Sequence, residues 1–338
     1  MTHPHAPLEV PPVFPRRSRA ARTRLVVILV LVAVAVAGSL WWGLRRNAAL
    51  PAGNAGSVLL TQSTRWCGDA QQPARAPVWL DAARVAVALG RPGSSTLVAI
   101  GPDGGHQPLV PSATIDQWQF KAFLPAPGCE QPAIRGKLLA FVRNGDIWLQ
   151  REAAVAVQLT RDGQAGQPAF APDAARLYYV SRASGRFALW STALDGEQPE
   201  LVLGDDHADY AAPAVSPDGN WLAFVSNRSG TPDLWAMRLA DGELFPLTAA
   251  AAVETAPAWS PDGTMLAYCA GDDRNSDLWV VNADGSSPTR LTATATCEYA
   301  PAWSPDGTRL AAQVGANAGA TVWCYTLGFA GYNTPVAR

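Results

Sequence analysis

Two kinds of apolar patterning divide the chain. From Leu25 to Leu44, twenty consecutive residues carry no charge. That is the length a helix needs to cross the hydrocarbon core of a bilayer. Beyond residue 56 the apolar residues come in short stretches, separated by Gly, Pro, Asp and Asn. Many of these stretches alternate with polar residues, the two-residue period of a half-buried strand. Residues 256 to 292 show one complete cycle. Ala256 to Ser260 reads as a strand, Pro261-Asp262-Gly263 as a turn, Met265 to Ala270 as a second strand and Asp277 to Asn282 as a third. Ala283-Asp284-Gly285 is the next turn, and Thr289 to Thr292 the fourth strand. Asp suits such turns because its carboxylate takes nearby backbone amides, and Gly because it tolerates positive φ.

This cycle repeats. The Pro of a Pro-Asp pair falls at 172, 217, 261 and 305, at steps of 45, 44 and 44. Trp190, Trp235, Trp279 and Trp323 keep the same steps, with Trp148 lying 42 earlier. Leu-Thr recurs at Leu159-Thr160, Leu247-Thr248 and Leu291-Thr292, and Leu203-Gly204 fills the slot between. Four short strands in a period of about 44 residues predict a β-propeller blade. Upstream, Ala76-Pro77-Val78-Trp79 opens a degenerate unit, and another begins near Pro132. The count is six. The last unit lacks a fourth strand, whereas Ser57 to Thr61 looks like a fourth strand without a unit. The expectation is that this segment completes the last blade and leaves no open edge in the ring.

The phrase Pro257-Ala258-Trp259-Ser260-Pro261-Asp262-Gly263, followed by Asp277-Leu278-Trp279 and then Leu291-Thr292, resembles the repeats of the TolB propeller family. The likeness is clear over residues 133 to 326 and weaker over 57 to 110. It implies an all-β, six-bladed propeller of four-stranded blades that contacts another envelope component. The same repeats occur in several kinds of envelope protein and in the propeller domains of prolyl-oligopeptidase-like peptidases. TolB carries an α/β domain ahead of its propeller, which family members use in partner contacts. Here the apolar run and a short linker stand in that place.

Charge orients the apolar run. Arg16, Arg17, Arg19, Arg22 and Arg24 precede it, and Arg45 and Arg46 follow. By the positive-inside rule the N-terminus is cytoplasmic and the propeller periplasmic, on a single-pass anchor in the bacterial inner membrane. Ala35-Val36-Ala37 also fits a signal-peptidase site, which would make the run a cleaved signal. Continuation of the apolar run through Leu40, Trp41 and Trp42 argues for the anchor. The expected organisation is a disordered basic tail over 1–24, a transmembrane helix over 25–44, a linker over 45–56, the propeller over 57–327 and a tail over 328–338. The first 46 residues hold seven Arg against the single acid Glu9, which leaves the rest at a net charge of −8. An acidic outer domain argues against nucleic acid as a partner, since phosphates require clustered cations. It suits a basic segment of an envelope protein or a cation.

Candidate chemistry is sparse. Asp173, Asp218, Asp262 and Asp306 recur in the Pro-Asp turns and read as turn caps. The Trp residues of the third strands read as packing between blades. Asp209, Glu254 and Glu298 stand eight, seven and seven residues ahead of their Pro-Asp pairs, in the loops that enter each first strand. They are the candidate channel-face binding residues, a negative funnel for a cation or a basic segment. Asp205, Asp206 and His207 with Asp209 form a weaker candidate metal cluster. There is no Gly-x-Ser-x-Gly elbow, no His-Glu-x-x-His and no phosphate-binding loop. The expectation is a protein-binding or scaffolding module, not an enzyme, without metal or cofactor. The alternatives are a sensor propeller for a small ligand, glycan or cation, and a degenerate peptidase-type propeller. Cys67 and Cys129 flank the first blade and are the first candidate disulfide; Cys297 with Cys324 or Cys269 is a second. Residues 111 to 131, with Trp118, Phe120 and Phe123, form the one long insertion, either a partner-binding loop or a cap on the ring.

Overall fold

The computed structural model describes residues 50, 53–69, 71–90, 96–109, 132–151, 154–197, 199–272, 274–315 and 319–329. The predicted membrane segment, the long insertion, Cys129 and residues 330–338 lie outside the described residues, whereas Gly328 and Phe329, expected in the C-terminal tail, belong to the last strand. Among the described residues no helix is long and apolar enough to cross a membrane.

Residues from Leu50 onward form six four-stranded antiparallel sheets. The chain enters through a single 3₁₀ turn, Ala55–Ser57, and the strand β1 (Val58–Cys67). The first blade is β2 (Ala74–Trp79), β3 (Val85–Leu89), β4 (Thr96–Ile100) and β5 (His106–Pro108). The second is β6 (Ala133–Arg135), β7 (Leu138–Arg143), β8 (Asp146–Arg151) and β9 (Val157–Gln158). The third is β10 (Ala165–Phe170), β11 (Arg176–Ser181), β12 (Ala188–Ala193) and β13 (Glu200–Leu203). The fourth is β14 (Tyr210–Val215), β15 (Trp221–Ser226), β16 (Asp233–Arg238) and β17 (Leu244–Pro246). The fifth is β18 (Val253–Trp259), β19 (Met265–Gly271), β20 (Ser276–Asn282) and β21 (Thr289–Arg290). The sixth blade takes β22 (Glu298–Trp303), β23 (Arg309–Val314) and β24 (Thr321–Phe329) from the end of the chain, and its fourth strand is β1.

The expected closure is therefore present, and longer than the sequence suggested. β1 runs antiparallel to β24 from Val58 opposite Phe329 to Cys67 opposite Val322. Part of the expected linker is also built into the ring. Ala55 is buried and its N–H donates to Oδ1 of Asn282 at 2.8 Å. A Cβ on Gly53 would stand 2.3 Å from the carbonyl of Thr264, so the chain passes there only as glycine.

Burial follows strand position. β15 is buried along its whole length and β11 and β19 nearly so, because a second strand lies between the faces of two neighbouring blades. The fourth strands β5 and β13 are half-buried to exposed. The first strands form the ring's inner wall, each beside the first strands of the two flanking blades. Five of them share an irregularity. Ala76, Gln167, Ala212, Ala256 and Ala300 each precede a Pro and adopt φ between 50° and 53°. At each the ladder to the second strand slips, as a β-bulge does. Proline has no N–H to give to the ladder, so the slip strands no donor there. Two bulge amides are taken by a neighbouring blade: Ala212 N–H donates to Oε1 of Gln167 at 2.7 Å, and Ala76 N–H to Oε1 of Gln313 at 3.3 Å.

Tryptophans on the first strands join the blades. The Trp259 indole donates to Ala214 O at 3.0 Å, Trp303 to Ala258 O at 3.1 Å, and Trp79 to Ala302 O at 3.0 Å. Trp79 thereby ties the first blade to the sixth. Phe170 and Val215 fill this slot in the third and fourth blades, and β6 is only three residues long.

Candidate functional site

The Pro-Asp turns are built for turn geometry. The hydroxyls of Ser216, Ser260 and Ser304 donate to Oδ1 of Asp218, Asp262 and Asp306 at 2.5, 2.6 and 2.5 Å. Each aspartate also takes the backbone N–H two residues on. Partial burial opposes the charge on these carboxyls, but the serine and backbone bonds outweigh it and hold their pKa values below the ordinary range.

The three candidate channel-face acids separate into two kinds. Glu254 and Glu298 are 1% and 0% exposed. Oε2 of Glu254 accepts from Thr248 Oγ1 and from Leu234 N–H at 3.3 Å. Oε2 of Glu298 accepts from Thr292 Oγ1 and from Leu278 N–H at 3.2 Å. Thr248 and Thr292 are the threonines of two Leu-Thr markers, each in the blade preceding its glutamate. Two signals that share a period in the sequence are thus two halves of one bond between blades. Asp209 is different. It pairs with Arg186 Nη1 at 2.8 Å and takes the N–H of Phe187 at 3.2 Å. The residue in register with Glu254 and Glu298 is the next one, Tyr210, whose hydroxyl donates to Asp205. One step along a strand reverses the face a side chain points to. Asp205 also takes the N–H groups of His207 and Ala208, which makes this acidic stretch a turn. Among the described residues no three His, Cys, Asp or Glu side chains are grouped as metal ligands.

Burial raises the pKa of Glu254 to about 7, against the opposing pull of its bonds from Thr248 and Leu234. Burial also raises that of Glu298, against its bonds from Thr292 and Tyr325. The two glutamates differ at the second oxygen. Oε1 of Glu298 accepts from Tyr325 OH at 2.7 Å. The matching position in the fifth blade, two residues after Trp279, is Val281, and among the described residues no donor reaches Oε1 of Glu254. Glu254 lines a cavity of about 540 Å³ between the fourth and fifth blades, with Tyr268, Trp279, Pro246, Pro288 and the four alanines 249–252. The Tyr268 and Trp279 rings lie 6.3 Å apart at 33°. Sequence reasoning singled out Glu254 and Trp279 for other roles; the alanine run was the unread signal for the open wall beside them.

Among the cysteines, Cys269 and Cys324 carry free thiols, so neither joins Cys297. Cys67 sits half-buried near the end of β1, where burial pushes its thiol up to about 12. Its expected partner Cys129 lies outside the described residues.

No protein-family model matches the chain, and no curated protein sequence does. Solved structures do match. A protein described as TolB from Agrobacterium tumefaciens is similar over 75% of this chain and 90% of its own, at 19% identity and a TM-score of 0.56. TolB from Acinetobacter baumannii is similar over 81% of this chain and 64% of its own, at 17% identity and a TM-score of 0.55. The ring is a TolB-type six-bladed propeller. A gluconolactonase from Xanthomonas campestris is similar over 82% of this chain and 98% of its own, at 14% identity and a TM-score of 0.55. These neighbours correct one expectation. The TolB-like repeats and the missing motifs pointed away from an enzyme, yet the fold is shared with that lactonase, an oligogalacturonate lyase and a puromycin-hydrolysing peptidase. The ring therefore does not place the chain outside the enzymes, because the same scaffold supports both kinds of site.

Proposed function

We propose that the chain is a membrane-anchored, extracytoplasmic TolB-type propeller that binds a protein of the cell envelope. The supporting observation is a rigid, closed TolB-type ring that follows shortly after an uncharged run of 20 residues with arginines massed on its N-terminal side. The blades are tied to one another by indole and carboxylate bonds, so the loops that join the strands are what the ring offers to a partner. Loops on a rigid scaffold are where binding residues concentrate.

The test uses the full chain in cells, with photocrosslinking residues placed singly in the loops at the two ends of the strands. The reading expects one envelope protein to be captured from positions at one end only, and protease to reach the propeller from the periplasmic side. Capture spread evenly over both ends, or a propeller reached only from the cytoplasm, refutes it.

A further inference from the structure

The cavity between the fourth and fifth blades combines features that the ring itself does not need. Its walls are alanine, proline and leucine, with the rings of Tyr268 and Trp279. Glu254 is the charged side chain among its lining residues. The carboxyl serves the ring through Oε2 alone, whereas its counterpart Glu298 uses both oxygens. An acceptor left open in an apolar, aromatic-walled cavity is the complement of a donor that brings its own positive charge. Aromatic faces attract cations through the ring quadrupole, and most strongly where water is excluded. A volume of about 540 Å³ falls within the range of small-molecule sites.

We propose that this cavity binds a small organic ammonium ion, with the charged head on Glu254 and an apolar body against Trp279 and Tyr268. The cation would supply what the site lacks, a counter-charge for a carboxylate that burial otherwise keeps partly protonated near neutral pH. Two other titratable groups act on this carboxyl. Asp233 at the start of β16 opposes its ionisation, and the Tyr268 phenol on β19 is itself raised by burial and by Glu254. Tyr268 stays neutral between pH 6 and 8, so its titration does not mimic that of Glu254. The proposal stands apart from the envelope-partner reading, because ligand uptake by the purified chain is measured without any partner present.

The probe is phenethylammonium, with 2-phenylethanol as its neutral counterpart, titrated calorimetrically into the full chain in detergent micelles with the heat of micelles alone subtracted. The ammonium is expected to bind at least tenfold more tightly than the alcohol. Its affinity is expected to rise several-fold from pH 6 to pH 8, as Glu254 loses its proton while the amine keeps its own. Glu254→Gln keeps an acceptor for Thr248 and Leu234 and is expected to weaken the ammonium at least tenfold without changing the alcohol. Equal affinities for ammonium and alcohol, or an ammonium affinity that does not change with pH, overturn the proposal. Both of those readouts use the unaltered protein, so they decide the matter even if the variant does not fold.

Discussion

Glu254 and Glu298 show how much a single side chain does in this ring. Each reaches from the first strand of one blade to a threonine and a backbone amide of the blade before. Glu254 has a folded-state pKa of about 7, above the 4.5 of a free glutamate. Below pH 4.5 it is neutral in both states and its bonds contribute in full. As pH rises through 7 the unfolded chain ionises first, and that stability is lost. The loss is on the order of 3 kcal/mol. Denaturant unfolding of wild type and Glu254→Gln between pH 4.5 and 8.5 checks this. The stability of Glu254→Gln relative to wild type should climb over that window, and a constant difference counts against the assignment. A second residue-level prediction separates two kinds of tryptophan. Trp303→Phe removes the indole bond to the half-buried carbonyl of Ala258 in the blade before and should cost about 1 kcal/mol. Trp323→Phe loses only a bond to Thr321 two residues away, so in the same urea titration it should cost roughly half as much or less. The 44-residue period identified these residues as equivalent across blades. It did not reveal their directions. Asp209 looked like a third member of the Glu254 and Glu298 set, yet its offset of one residue gives the slot to Tyr210.

At the scale of elements, the first strands carry the irregular chemistry. A non-glycine residue at φ near 50° costs on the order of 1 kcal/mol, and five blades bear that cost at the residue before the proline. Four of the five are alanine and the fifth is Gln167, so the position holds side chains without a branch at Cβ. Ala256→Gly should leave stability within about 1 kcal/mol of wild type, since glycine adopts this conformation freely. Ala256→Val should cost roughly 2 kcal/mol or more, because a β-branched side chain resists positive φ. Equal midpoints for the two variants in a denaturant titration would mean that the bulge is not under strain. The strands themselves were legible to within two or three residues, since a two-residue alternation bounded by Asp-Gly turns has few other solutions. The bulges were not, because Ala-Pro followed by Ala reads as ordinary strand in a one-dimensional pattern. The length of β1 was also underestimated. Beyond Thr61 its residues are mostly exposed and polar, so no hydrophobic alternation marks the extension to Cys67.

Across the whole molecule the blades are unequal. The second blade has a first strand of three residues, without the bulge or the indole found elsewhere, and a fourth strand of two. Local opening starts where buried contacts and bridging bonds are fewest. Hydrogen exchange should therefore release the amides of β6 and β9 well before those of β11, β15 and β19. Uniform protection of all six blades would contradict this. The six-fold count was readable because four units kept their markers, and the two degenerate units were placed by the Ala76-Pro77-Val78-Trp79 echo and by the strand pattern that begins near Pro132. Ring closure carries a consequence for how the protein is made. Thr61 bonds to the carbonyl of Thr326, 265 residues away, so the first strand to be synthesised is the partner of the last. At about 5–20 residues per second, β1 waits roughly 15 to 50 s for β24. Throughout that interval both ends of a growing, open arc of blades present unpaired edges. Any process that protects a nascent chain acts on this protein for longest at its N-terminal strand, and a pause at any point between β1 and β24 prolongs that exposure by its full length.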